Sequence, residues 1–322
     1  MAEPAGSEQI MTVNEVRDVA QRVLTELRKV VVGKGEVMQN VFISLLADGH
    51  VLLEGVPGVA KTFMANAFAT ILGCSFNRIQ FTPDLLPADI LGTNILDQET
   101  ASFKLRKGPI FANIILADEI NRAPPKTQSA LLECMQERQV TLEGETHKLD
   151  RPFIVMATQN PIELEGCYPL PEAQVDRFLF KLIVGYPTEQ EEVEIILRKH
   201  APVDVQLDII TNPQLIVRMQ TAVRHVHCDR DIMNYIRDIT IRTRKDPQIL
   251  LGGSPRASIV LLTCAKARAA ILGRNFVTPD DVKALTLQAL YHRLILKPEA
   301  ELGGVSVPRI IFNMLEEIAT PV

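Results

Sequence analysis

Tryptophan is absent from the 322 residues, and aromatic side chains make up only 5% of them. Basic residues are in no excess either: 34 Lys and Arg against 39 Asp and Glu leave a formal charge of -5. Such a chain lacks both the stacking platform that holds single strands and the positive field that follows a phosphate backbone. Nucleic acid is therefore not the expected partner. Cysteine is scarce. The five present, Cys74, Cys134, Cys167, Cys228 and Cys264, are odd in number, far apart and never in a C-x-x-C pair. That spacing argues against a disulfide framework or a zinc site and predicts reduced, packed thiols. No stretch approaches the roughly 18 apolar residues that would span a bilayer. Met1-Ala2-Glu3-Pro4 opens a polar lead without the apolar core of a signal peptide. The expected compartment is the cytoplasm, with no membrane span.

What is present is an ordinary globular balance, with 47% hydrophobic and 23% charged residues. At roughly 150 residues per domain the length suggests two domains with real cores. Val13 to Val30 reads as a helix, after which short apolar runs alternate with helical segments, the pattern of a parallel sheet covered by helices. Val51-Leu52-Leu53, Ile114 to Ala117 and Phe153 to Ala157 are apolar on consecutive residues, as strands buried on both faces are. Ligands in such sheets sit beyond the carboxyl ends of the strands, so the residues that trail these runs are the candidates: Gly55 to Thr62, Asp118-Glu119 and Asn160. From Gly185-Tyr186-Pro187 the strand signals stop. Thr188 and Glu191 have the spacing of a capping box, and Ser254-Pro255 and Thr278-Pro279 each place a capping residue before a first-turn proline. Ile232, Tyr235, Ile236 and Ile239 share one helical face. The expected organisation is an α/β core over 1–187 and a helical domain over 188–322.

Gly55-Val56-Pro57-Gly58-Val59-Ala60-Lys61-Thr62 lies between a strand and a helical run and matches a P-loop, except for alanine at the last glycine. Such a loop aims backbone N–H groups and a helix N-terminus at phosphate; Lys61 can reach the β and γ phosphates and the Thr62 hydroxyl can ligate magnesium. Read alone, the loop could be a turn using glycines for steric reasons. Ala60 is expected at negative φ, as a residue entering a helix would be. Asp118-Glu119, at a strand end, supplies the complement: Asp118 for magnesium, Glu119 to polarise the attacking water.

The stretches Gly55 to Thr62 and Leu116-Ala-Asp-Glu-Ile-Asn-Arg-Ala-Pro-Pro-Lys-Thr-Gln-Ser-Ala-Leu-Leu132 closely resemble the MoxR family of AAA+ ATPases. Ala157-Thr-Gln-Asn-Pro161, Pro169 to Phe178 and Gly252-Gly-Ser-Pro-Arg-Ala257 are similar to that family's later motifs, in order, and the resemblance covers about residues 14 to 315. It implies a P-loop NTPase fold, a three-layer αβα core with a small all-helical lid. It also implies an ATPase working as a homo-oligomeric ring, a hexamer, with ATP and Mg2+ at subunit boundaries. Residue by residue it implies that Asn160 is sensor 1, that Arg177 is an arginine finger for a neighbour and that Arg256 is sensor 2. Val31-Val32-Gly33 and Phe63 fall near the nucleotide, and Arg122 resembles an interface residue with no assigned partner. The implied role is chaperone-like remodelling of partner proteins, including ones with a von Willebrand factor A-type domain. A magnesium-chelatase-like motor subunit, a nucleotide switch that does not turn over, and a nucleic-acid motor stay open as alternatives.

Two hairpins are expected, Asn94 to Leu105 around Asp97-Gln98-Glu99-Thr100 and Gln139 to Leu149 turning at Glu143-Gly144. His225-Val226-His227 lacks a third ligand and reads as no metal site; His50, His147, His200 and His292 read as structural or surface residues. Arg237, Arg242, Arg244 and Lys245 read as a solvated face.

Overall fold

The computed structural model describes residues 10–56, 58–97, 102–161, 167–200 and 205–321. Five parallel strands form the central sheet, in the order Phe76–Gln80, Ile114–Asp118, Ile154–Gln159, Val51–Glu54, Phe180–Ile183. The three apolar runs read from the sequence are its three inner strands. Successive side chains of a strand point to opposite faces, so each apolar run feeds two cores at once. Val51, Leu53, Ile114, Leu116, Ile154 and Met156 join one buried cluster, while Leu52, Ile115, Ala117, Val155 and Ala157 join the other. Both faces are covered, as expected for a three-layer αβα core.

The first cluster does not stop at the sheet. It runs on through the helix Val13–Val30, through Gly35–Leu46, and into helices Pro213–Arg224, Arg230–Lys245, Pro255–Ile271, Pro279–Leu290 and Val307–Glu317. The amino-terminal helices are thus wedged between sheet and lid, and the two expected domains share one apolar core. Val13–Val30 begins with a capping box in which Glu15 N–H donates to Thr12 Oγ1 and Thr12 N–H to Glu15 Oε2. The capping box read at Thr188 forms as well, and opens Glu189–His200. That helix differs from expectation in one respect: none of its residues is buried, so it runs alongside the bundle rather than within it. The lid also holds an antiparallel pair, Ile249–Leu251 with Ile295–Leu296, too short to leave a periodic signal in the sequence.

Both expected hairpins form. Gly92–Asp97 pairs with Ser102–Lys107, and Gln139–Leu142 pairs with Glu145–Lys148 across Glu143 and Gly144, both at positive φ. Gln98, Glu99 and Thr100 at the first tip lie outside the described residues, as does Pro57 of the P-loop.

Candidate active site

The register of the sheet assembles the site. Gln80 pairs with Asp118 and Glu54 with Gln159, which brings the carboxyl ends of four strands level, and the residues that follow converge on one cleft. That cleft, about 390 Å³, is lined by Gly58, Ala60, Lys61, Thr62, Phe63, Arg78, Asp118, Glu119, Thr158 and Asn160. An adjoining cleft of about 510 Å³ is more apolar. Val31, Val32, Val59 and Tyr186 line it, the helix Glu189–His200 borders it through Glu192 and Ile195, and Gly58, Ala60 and Phe63 belong to both clefts. A polar chamber and an apolar one joined at a glycine-containing loop match a nucleotide's phosphates and base.

Glycine is required at two places here. A Cβ on Gly55 would lie 2.3 Å from Val184 O, so the P-loop can leave its strand only without a side chain. Gly33, at φ +71, packs under Glu191, whose carboxyl carbon would be 2.2 Å from an added Cβ. Val56 follows Gly55, half-buried against the first apolar cluster.

Ala60 overturns its expectation. It sits at φ 61 and ψ 25, in the left-handed region, as the residue that caps the helix Lys61–Leu72 rather than as that helix's first turn. The N-cap residue lies outside the helix and is not held to helical φ, so the expectation of negative φ does not apply to it. A non-glycine residue there costs roughly 1–2 kcal/mol.

Lys61 Nζ donates to Gly55 O at 2.6 Å, folding the ammonium over the loop. Burial pushes its pKa below the ordinary lysine value, opposed by the nearby carboxylates Asp118, Glu119 and Glu54. Asp118 accepts from Thr158 Oγ1 at 2.6 Å through Oδ1, and from Arg78 Nη2 at 2.7 Å and Nε at 3.1 Å through Oδ2. Glu119 stands at φ 56 in the left-handed region, its backbone N–H donating to Thr158 Oγ1 at 2.8 Å. A strained backbone at an acidic strand end fits a functional role. Its Oε2 accepts from Gln80 Nε2 at 2.8 Å and from Arg122 Nη1 at 2.9 Å. Arg122, left without a partner by the sequence, therefore belongs to the Glu119 network. Asn160, buried directly after the strand Ile154–Gln159, completes the cleft.

Arg78, Gln80 and Thr158 were missed by sequence reasoning. Thr158 lies inside the quoted Ala157-Thr-Gln-Asn motif, and the polar alternation of Arg78 and Gln80 along Phe76–Gln80 was the available signal for the other two.

Arg177 and Arg256 are elsewhere: among the described residues, neither lines either cleft. Arg177 makes no ion pair with Asp176 or Glu172; its Nη1 donates to Leu132 O at 3.1 Å. Asp176 turns instead to the lid, accepting from Ser254 Oγ at 3.3 Å and Arg293 Nε at 2.6 Å. Ser254 stands just before the helix Pro255–Ile271, without a side-chain capping bond, and that helix's second residue, Arg256, is exposed. The two arginines are thus linked through Asp176 and Ser254, on a part of the molecule distinct from the P-loop.

The family model described as ATPase family associated with various cellular activities (AAA) matches residues 50–180, and the AAA lid domain matches 241–311. The Mycobacterium tuberculosis protein Chaperone MoxR1 is 44% identical over 99% of this chain and 86% of its own length. This chain belongs to the MoxR family of AAA+ ATPases. The uncharacterized protein YeaC of Bacillus subtilis is 47% identical over 94% of both chains. The crystal structure of a candidate ATPase from Cytophaga hutchinsonii superposes with a TM-score of 0.90 at 42% identity, over 96% of this MoxR chain and 97% of that one. The core match of this MoxR ATPase carries Lys61, Asp118, Glu119, Asn160 and Arg177, and the lid match carries Arg256.

Each of the paired histidines has a hydrogen-bond partner. His225 closes a helix with Nδ1 2.8 Å from Thr221 O, and His227 Nε2 lies 2.9 Å from Asp229 Oδ1. Among the described residues no three or more His, Cys, Asp or Glu side chains cluster as a metal site would, and no helix is long and apolar enough to cross a membrane. In the basic cluster Arg237, Arg244 and Lys245 are exposed and Arg242 is half-buried; Arg244 Nε donates to Gly253 O at 2.7 Å, and Arg242 pairs with Asp246 and Glu317.

Proposed function

We propose that this ATPase works as a homo-oligomeric, hexameric ring in the cytoplasm and uses ATP hydrolysis to remodel or activate partner proteins, including ones with a von Willebrand factor A-type domain. One observation carries the ring: the cleft that holds the P-loop and the acidic pair is separate from the part of the chain that carries Arg177 and Arg256. Cations that serve hydrolysis but cannot line their own cleft suit a neighbour's. The chaperone-like role is supported by the similarity to MoxR1.

The phosphates lie along the backbone of Gly55 to Thr62, with Lys61 beside the β and γ groups and the base against Val31 and Val32 near Gly33. The donor set fits Mg2+, because the Thr62 hydroxyl and the Asp118 carboxylate are hard oxygen donors lining one cleft. Bound there, the ion would neutralise phosphate charge. Thr158 orients Asp118 through its hydroxyl and, through the same oxygen, fixes the backbone of Glu119. Glu119 takes the proton of the attacking water, Asn160 helps place that water, and Arg177 and Arg256 of one subunit stabilise charge on the nucleotide of the next.

The test is ATP hydrolysis by the wild type and by Lys61→Ala across protein concentration, with particle mass determined in parallel. Turnover that rises with assembly and vanishes in the variant is expected. Turnover by a monomer at the full rate would sink the ring reading, and none at any assembly state would favour a nucleotide switch.

A further inference from the structure

Arg293 has no part in the site so far, yet its side chain is almost fully buried in a full set of hydrogen bonds. It follows the helix Pro279–Leu290, its side chain is 2% exposed, and its five guanidinium hydrogens find acceptors. Nε donates to Asp176 Oδ1 at 2.6 Å. Nη2 donates to Asp176 O at 2.9 Å and Phe178 O at 2.7 Å, and Nη1 to Leu179 O at 3.1 Å and to Ala289 O. Four of the five acceptors thus belong to Asp176, Phe178 and Leu179, the residues that flank Arg177. The adjacent His292 adds Nε2 at 3.1 Å from Phe178 O.

We propose that Arg293 is a positioning residue for Arg177: it clamps the backbone on both sides of that arginine to the lid, so that lid orientation in one subunit sets the arginine presented to the next. This rests on the reading of Arg177 as a finger. The clamp is placed for that task. A lid residue that only stabilised the fold could bury its charge against any carboxylate, whereas this one engages carbonyls on both sides of one side chain and leaves that side chain out of its grip. Arg177 itself is fastened to the core at Leu132 O, and Leu179 N–H donates to His50 O at 2.8 Å, so the segment is held by both bodies. A change of angle between lid and core then pulls on the backbone that carries Arg177. The planar fork matters more than the charge, because a lysine has three donors on a flexible stem and cannot span three carbonyls and a carboxylate.

The experiment compares Arg293→Lys, Asp176→Asn and Arg177→Ala in the full-length chain. It measures kcat, nucleotide affinity by equilibrium binding, melting temperature, and turnover of rings that mix each variant with Lys61→Ala subunits. Arg293→Lys should lower kcat about a hundredfold, the scale of a misplaced catalytic group, while affinity stays within about twofold. Its activity should return in mixed rings, where its intact P-loop meets a well-held Arg177 from the Lys61→Ala subunit. Asp176→Asn keeps the side-chain volume and should show a smaller loss of the same kind, so the test survives if Arg293→Lys folds poorly. Overturning results are wild-type kcat in both clamp variants, or losses of kcat and affinity in step with the melting temperature that mixing does not restore. Full turnover in Arg177→Ala would remove the finger and the clamp together. An inactive Arg177→Ala beside active clamp variants would remove the clamp alone.

Discussion

The phosphate cleft and the Arg177–Arg256 region are built on opposite plans. In the cleft, each group is delivered by the end of a strand or by the loop that follows one, and neighbours along the chain are neighbours in space. Around Arg177 the order comes from distant segments: Leu132 on a core helix, Ser254 at a lid cap and Arg293 after another lid helix meet residues 176–179. The first plan makes a rigid binding site, because a buried sheet holds its strand ends in register. The second joins two bodies, and its geometry depends on how they are set. The cleft is thus set within the sheet alone, while the surroundings of Arg177 are set by core and lid together.

The largest effects should separate those two tasks. Arg177→Ala is expected to lower kcat by about 10³-fold or more with nucleotide affinity nearly unchanged. Equilibrium binding beside steady-state turnover checks this, and a parallel loss of affinity would break the separation. Glu119→Gln is expected to lower turnover by roughly 10²–10⁴ from the cleft side while ATP remains bound. Single-turnover measurement decides it, and unchanged turnover would remove Glu119 as the base.

A third prediction concerns the floor of the sheet. His50 is buried with Nε2 2.9 Å from Met135 O and Nδ1 accepting from Val155 N–H at 3.0 Å, and its pKa is pushed down to about 4. Burial is the main cause; the hydrogen bond to Met135 O opposes it, Arg138 and Arg256 add to it, and Asp48 opposes it. The unfolded histidine protonates near its ordinary value of about 6.5, so the unfolded state binds the extra proton first on acidification. The stability is therefore present above that value and is lost as pH falls toward 4. Between pH 7 and 5 the loss should be about 2 kcal/mol, and His50→Gln should flatten it, as urea midpoints at the two pH values would show. His292, also held down by burial, titrates in the same direction and leaves a residual slope. An unchanged slope in the variant would show that His50 is not the group responsible.

The smallest effect sharpens the cleft's own geometry. Ala60→Gly should raise stability by about 1 kcal/mol by relieving the left-handed residue, visible as a melting temperature a few degrees higher. A fall in stability would mean that the loop does not hold φ 61 at this position.

Much of the fold was readable because its signals are local. Inner strands buried on both faces must be apolar on consecutive residues, and a helix must satisfy its first N–H groups, which Thr188 and Thr278-Pro279 announce. Gly55 to Thr62 and Asp118-Glu119 were readable because a phosphate cradle and its acidic complement are each contiguous in the chain. The shared core was not readable, since an amphipathic helix such as Val13–Val30 does not say which surface it will cover. Arg78 and Thr158 escaped because Asp118 meets them only across strand register.

The sequence by itself determined the elements, the nucleotide chemistry and the family, because those depend on periodicity and on residues adjacent in the chain. Only the tertiary structure decided that Ala60 bears a left-handed backbone, that Arg122 and Gln80 share Glu119, that neither Arg177 nor Arg256 lines the cleft, and that Arg293 holds residues more than a hundred positions away. Each of those depends on how separate segments pack, and packing is settled by shape and hydrogen-bond satisfaction among residues that the chain order keeps apart.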